Sequence, residues 1–360
     1  MPITREQVIA ALRTVQDPEL FKDLVTLNMV KDVQISGEHV TVTVELTTPA
    51  CPKKEQLESD VRRAVLNAGA HAVVVQLTAN TRGAAPGGGS APRSVLPQVK
   101  NVIAVGAGKG GVGKSTVATN IAVGLARSGA AVGLMDGDIY GPSLPTMLGI
   151  KGKVPQVRGN KILPFAVHGI HAITIGSLVE EEKPLIWRGP MAHGAFKQLL
   201  ADNTEWPDLD YLIVDLPPGT GDVPLTLCQL LPLTGAVVVA TPQQVALDDA
   251  VRAVRMFQQL GAPVLGLVEN MSYFVAPDGG EHDIFGRGGT EQAAQRLGLP
   301  YLGGIPMFTA LRVNSDAGNP SANFEGDPKL RDALMAVTQT LAGQVSLRNM
   351  STPAPTLNIS

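Results

Sequence analysis

Residues 101–116 read Asn-Val-Ile-Ala-Val-Gly-Ala-Gly-Lys-Gly-Gly-Val-Gly-Lys-Ser-Thr. A short apolar run, Val102–Val105, enters a glycine-rich turn, and a helical pattern leaves it at Ser115 and continues to Arg127. Strand, turn and helix in this order form the setting in which such a turn cradles phosphate. Glycines let backbone N–H groups converge on phosphate oxygens, and the helix N-terminus adds partial positive charge. The expected ATP-binding residues are Gly108, Lys109, Gly110, Gly111, Val112, Gly113, Lys114, Ser115 and Thr116. Lys114 is placed on the outer phosphates and Ser115 on a Mg²⁺ ion. A chance glycine-rich turn would lack the flanking strand and helix.

Outward from this loop, the same alternation repeats. AAVGLMD, YLIVD, GAVVVAT, VLGLVEN and YLGGIP are short and nearly continuous in apolar residues. Strands buried on both faces of a parallel sheet look like this. Residues 99–345 therefore predict a doubly wound α/β domain with its ligand at the strand C-terminal ends. The strand Tyr211–Asp215 ends in a carboxylate, and Asp215 is expected to hold Mg²⁺ through water. The segment Leu216–Asp222, a Pro-Pro followed by a Gly hinge, would move with it.

Residues 1–80 read as a separate small α/β unit in the order α-β-β-α-β. Thr4 and Gln7 form a capping box, Val40, Val42, Val44 and Leu46 alternate as a strand, and Leu57, Val61 and Val65 share a helix face. Residues 81–98, rich in Gly, Ala, Pro and Ser, predict a flexible linker. Residues 346–360 predict a disordered tail. The chain has 360 residues, 44% of them hydrophobic, and a net charge of −3. That balance, with no basic half, argues against nucleic acid as a partner. No apolar run reaches membrane-span length and no signal peptide opens the chain, so a cytoplasmic protein without a membrane partner is expected. Two cysteines, Cys51 and Cys228, cannot form a disulfide framework.

Lys109 is a second lysine near the start of the loop. KGGVGKST resembles the deviant phosphate loop of the ATPase superclass that includes nitrogenase iron protein and the cell-division and partition ATPases. The resemblance implies an ATP-hydrolysing homodimer in which Lys109 reaches the neighbouring subunit's nucleotide. It also implies that Asp138, in Asp136-Gly137-Asp138, orients the attacking water, so that Lys109, Lys114 and Asp138 form the catalytic set; a loop-capping Asp138 is the structural alternative. MDGDIYGPSLPTMLG, WRGPM, DLPPGTGD, ATPQQVALDDA, ENMSYF and IFGRGG together resemble the Mrp/ApbC family of ATPases that carry iron–sulfur clusters to apoproteins. Asp17-Pro18-Glu19 and Thr47–Pro52 are similar to the MIP18-type domain fused to many of them. By this resemblance Asn270 and the segment around Pro306 lie against adenine.

One stretch departs from the family. Cluster-binding members carry Cys-x-x-Cys after ENMS, whereas Ala276 and Gly279 stand there in this chain. An all-cysteine cluster at that place is excluded. Cys228, on an apolar helix, reads as a small buried hydrophobe. Cys51, in a Pro-flanked loop, reads as the exposed thiol and the candidate iron–sulfur ligand, with loop packing as its alternative. His282 and Asp283 could supply non-thiolate ligands, or be solvated. Two functions stay open: an ATPase carrying a labile iron–sulfur cluster to apoprotein clients, and a nucleotide-switched scaffold that has lost that cargo.

Overall fold

A computed structural model describes residues 3–18, 20, 22–81, 83, 96–138, 141–174 and 203–351. The WRGPM segment, nearly all of the expected linker, and residues 352–360 of the expected tail lie outside the described residues.

The N-terminal unit folds as α1 (Arg5–Leu12), β1 (Val30–Ser36), β2 (His39–Leu46), α2 (Lys54–Asn67) and β3 (Ala72–Ala79). The Thr4–Gln7 capping box forms as read from the sequence. β2 is central, antiparallel to β1 and parallel to β3. Its alternating residues Val40, Val42 and Val44 meet Val8 and Leu12 of α1 and Leu57, Val61 and Val65 of α2 in one core. Each such fully buried side chain stabilises by about 1.5–3 kcal/mol.

Among the described residues, the larger unit is built around a nine-stranded sheet with a separate two-stranded ribbon beside it. It is built from β4 (Val99–Gly106), α3 (Lys114–Arg127), β5 (Val132–Asp136), α4 (Leu144–Met147), β6 (Val157–Arg158), β7 (Lys161–Ile162), β8 (Phe165–Val167) and β9 (Ile170–Thr174). After the undescribed segment come β10 (Leu209–Asp215), α5 (Asp222–Leu230), β11 (Leu233–Ala240), α6 (Gln244–Gln259), β12 (Val264–Val275) and β13 (Glu281–His282). The chain closes with α7 (Gly289–Leu297), β14 (Tyr301–Met307), α8 (Thr309–Asp316) and α9 (Pro328–Ser351). The helix α9 continues past residue 346, so the start of the expected tail is helical instead.

Seven strands run parallel in the order β14-β12-β11-β4-β10-β5-β9, with β8 and β13 antiparallel additions. Chain order reverses on either side of β4, and that reversal leaves a crevice beyond the strand C-termini where a ligand fits. Residues Val102–Val105 are at most 2% exposed. One face of the sheet packs under α3 and α9 and the other under α6 and α7. Helices on both faces explain the continuous apolar runs.

The two units touch through the loop that follows β2. Thr48 Oγ1 and the Tyr211 hydroxyl share a buried hydrogen bond of 2.9 Å. Ala50 joins the core of the larger unit, and Met350 of α9 packs against the core of the smaller one.

Candidate functional site

The loop between β4 and α3 has the backbone its glycines were expected to supply. Gly111 and Gly113 adopt left-handed φ values of 81° and 79°, a region that side chains disfavour. A Cβ at Gly108 would collide with the backbone carbonyl of Asp249 on α6, and one at Gly113 with the Asn270 amide. No acidic residue stands in the first turn of α3, which leaves its positive end open to an anion.

Lys114, 6% exposed, lies over this loop. Its Nζ donates to Asp215 Oδ1 at 2.5 Å and to Ser115 Oγ at 3.2 Å. Three residues expected at the phosphates and the metal thus meet. Asp215 is fully buried, and burial pushes its carboxyl up while the Lys114 ammonium pulls it back. Its second oxygen, Oδ2, has no hydrogen-bond partner among the described residues. An orphaned carboxylate oxygen beside a serine hydroxyl is a donor set suited to a hard divalent cation and its waters.

Asp136, at the end of the adjacent β5, is a functional candidate that the sequence reading passed over in favour of Asp138. It is completely buried and accepts from Asp138 N, Leu144 N and Thr174 Oγ1 at 3.1, 3.3 and 3.1 Å. Burial, and then the neighbouring Asp215 charge, push its carboxyl up to about 7. The signal was present as two carboxylates spaced i, i+2 after an apolar strand. Asp138 Oδ1 accepts from Gly141 N at 3.2 Å, the loop-capping contact, and its charge is also felt at Asp215. Lys109 is half-buried and makes no ion pair among the described residues.

Asn270 is 4% exposed and donates through Nδ2 to the loop carbonyl of Val112 at 2.8 Å. It pairs in register with Ile305, which brings Pro306 to the same edge of the crevice. Glu269, one residue earlier and fully buried, accepts from Ser272 Oγ at 2.6 Å and from Gly288 N and Thr290 N at 2.9 Å each. It therefore caps α7 and ties the 284–288 loop to β12, a role with no visible sign in the sequence beyond a carboxylate inside an apolar strand.

The position of the absent Cys-x-x-Cys is a closed hairpin turn between β12 and β13. Ala276 N–H donates to Gly280 O at 2.8 Å and Gly279 N–H to Ala276 O at 2.9 Å. Arg287 braces the hairpin, stacking 3.6 Å over the Tyr273 ring and pairing with Glu281 at 2.7 Å. His282 and Asp283 are exposed. No cluster of three or more metal-ligating side chains occurs among the described residues.

The expectation of an exposed Cys51 is corrected: the residue is 9% exposed and belongs to the core of the N-terminal unit. The loop that carries it is pinned between the two units, which loop composition alone does not convey. Cys228 is buried as expected, and burial pushes its thiol up to about 12.

Comparison with known proteins agrees with both units. Residues 98–342 match the family described as NUBPL iron-transfer P-loop NTPase, and residues 5–77 match one described as iron-sulfur cluster assembly protein. The chain is 49% identical over 353 residues to an iron-sulfur cluster carrier protein of Synechocystis sp., covering 96% of this chain and 99% of that one. It is 49% identical over 349 residues to a protein of the same name from Deinococcus radiodurans, covering 96% and 97%. Among solved structures, a nucleotide-binding protein from Archaeoglobus fulgidus in complex with ADP is 36% identical, with a TM-score of 0.58 over 65% of this chain and 92% of that one.

Proposed function

The chain belongs to the iron-transfer P-loop NTPases, and from that premise we propose that it is a cytoplasmic, homodimeric, Mg²⁺-dependent ATPase that carries iron–sulfur clusters to apoproteins. The observation that carries the nucleotide half is Lys114, buried on the phosphate loop and bonded to Asp215 at 2.5 Å. Incoming outer phosphates offer its ammonium a stronger set of anionic oxygens, so Lys114 turns from Asp215 to them. Ser115 Oγ and the unpartnered Asp215 Oδ2 are then free to hold the metal. Mg²⁺ bound there supplies charge against the β- and γ-phosphate oxygens.

The remaining roles belong to the chain's own groups. The N–H groups of Gly110 to Lys114 bind phosphate oxygens. Asn270, clasped to Val112 O, holds the loop beside the base. Asp138 orients the attacking water after leaving Gly141 N. Lys109 makes no ion pair among the described residues and is suited to the transition-state charge in the facing subunit, as an arginine finger is. Turnover measured with Mg²⁺ and with excess chelator tests the metal requirement; equal rates would reject it.

The cargo half rests on family membership and on the relatives at 49% identity. Here the thiol inventory favours a second reading. Both cysteines are buried and the usual ligand turn holds Ala276 and Gly279, as a nucleotide-switched scaffold without cargo would allow. Iron and acid-labile sulfide analysis of anaerobically purified full chain separates the two. Metal and sulfide bound together support carriage. Their absence under reducing conditions, after attempted reconstitution, hands the lead to the scaffold.

A further inference from the structure

Among the described residues, three that are not glycine take a left-handed φ. Asn28 and His168 do so in turns, where such a bend is common, whereas Met271, at φ 55°, does so inside strand β12. A Cβ makes this conformation unfavourable, and glycine or asparagine would adopt it more readily. The bend belongs to a bulge. Asn270 pairs with Ile305 and Phe274 with Met307, so Met271, Ser272 and Tyr273 face the single residue Pro306 of β14, which has no N–H to give the ladder. Both flanks are fixed. Asn270 Nδ2 donates to Val112 O at 2.8 Å, and Ser272 Oγ donates to Glu269 Oε1 at 2.6 Å. Backbone strain persists where its surroundings over-determine it, and it gathers at ligand sites.

The bulge brings its side chain to the phosphate loop. A Cβ built on Gly113 would stand 3.7 Å from Met271 Cε, in ordinary van der Waals contact, with the Asn270 amide beside it. Gly113 is the N-cap of α3 and is itself left-handed at φ 79°. Two consecutive residues of β12 thus grip two consecutive residues of the loop. Asn270 holds the Val112 carbonyl, and the Met271 methyl lies on the side of Gly113 where a side chain would stand. Glycine lets the loop take its phosphate-binding shape but leaves it equally free to abandon that shape. An unbranched thioether is suited to filling the irregular gap beside it.

We propose that Met271 is a positioning residue for the nucleotide: it holds Gly113, and with it the N–H groups at the start of α3, in the phosphate-binding shape before ATP arrives. The strain at residue 271 is then offset by a preorganised loop. The role presupposes the nucleotide reading above. Acting through Gly113, Met271 needs to touch no reacting atom. Loss of its hold lowers the fraction of molecules whose loop is competent, and the apparent Kd rises by the inverse of that fraction. Saturating ATP restores the competent shape, so the effect falls on KM and spares kcat.

The test compares the full chain with its Met271→Gly and Met271→Leu variants by thermal melting without nucleotide, titration with a fluorescent ATP analogue, and steady-state ATP hydrolysis. Met271→Gly keeps the bend and loses the hold. It should bind the analogue about tenfold more weakly and raise KM for ATP by the same factor, with kcat unchanged. It should melt within about 3 °C of wild type, because relief of the left-handed φ offsets the lost contact. Met271→Leu keeps an apolar side chain of similar volume and should bind within about twofold of wild type. Equal binding by wild type and Met271→Gly overturns the proposal and leaves the nucleotide reading intact. A fall in kcat, or a melting temperature lowered well beyond that margin, makes Met271 a structural part of β12 only and overturns it as well. So does a Met271→Leu variant as weak as Met271→Gly. Wild type that binds no analogue overturns the nucleotide reading, and the proposal with it.

Discussion

Replacing Lys114 by Met should destabilise the nucleotide-free protein as well as abolish ATP binding. Lys114 is 6% exposed and Asp215 is fully buried, so the ammonium is the compensating charge for a carboxylate held away from water. Removing one partner of such a buried pair costs about 3–5 kcal/mol, because the other charge is left without compensation. In a domain of roughly 200 residues each kcal/mol moves the melting temperature by about 2–4 °C, so Lys114→Met should melt roughly 6–20 °C below wild type. Adding Asp215→Asn removes the stranded charge and should recover most of that loss. Neither protein should bind a fluorescent ATP analogue, since the loop's point charge is missing from both. Thermal melting of the full chain without nucleotide, followed by circular dichroism, reads the first effect, and fluorescence titration reads the second. If Lys114→Met melts with wild type, or if Asp215→Asn fails to rescue it, the buried pair does not hold the empty site together.

Lys109→Ala should leave nucleotide binding measurable and suppress turnover; equal loss of binding in Lys109→Ala and Lys114→Met would reject the in-trans role. Glu269→Gln keeps an acceptor for Gly288 and Ser272 but sets an amide against Thr290 N–H. The loss of about 2–3 kcal/mol should speed hydrogen exchange at the Thr290 amide by roughly 30- to 150-fold, and unchanged exchange would dismiss the cap. Cys51→Ser should lower iron and sulfide content after anaerobic reconstitution while ATP hydrolysis persists. A full cluster in that variant would make Cys51 a packing residue only.

What the sequence revealed and what it withheld follow from the range of the interactions. The phosphate loop was legible because its requirements are local: Gly111 and Gly113 need left-handed φ, and Lys114 and Ser115 follow at fixed offsets on a helix start. The strands were legible because burial on both faces leaves no polar alternation. Asp136 and Glu269 were not, because each is a carboxylate in or ending an apolar strand, and its significance lies in partners far along the chain or around a turn: Thr174 for one, Gly288 and Thr290 for the other. Cys51 was misjudged for the same reason. A Pro-flanked loop reads as exposed until Thr48 meets Tyr211 and Ala50 enters the core of the neighbouring unit, a contact between residues 163 apart.

The sulfur count then bears on how any cluster is carried. Cys228 lies in the core of the larger unit, where burial pushes its thiol up to about 12. Gly279 sits at φ 84°, so even a cysteine introduced there would meet a strained backbone, and the turn's N–H groups already bond within the turn. In the proposed homodimer Cys51 offers one thiol from each copy, against the four ligands that [2Fe–2S] and [4Fe–4S] centres ordinarily take. Two thiols cannot complete such a centre, and Cys51 is buried. A cluster held this way needs ligands from small thiols or from the recipient itself, and a recipient that supplies ligands is also positioned to take the cluster away. Under the carrier reading, the missing cysteines thus favour release over storage.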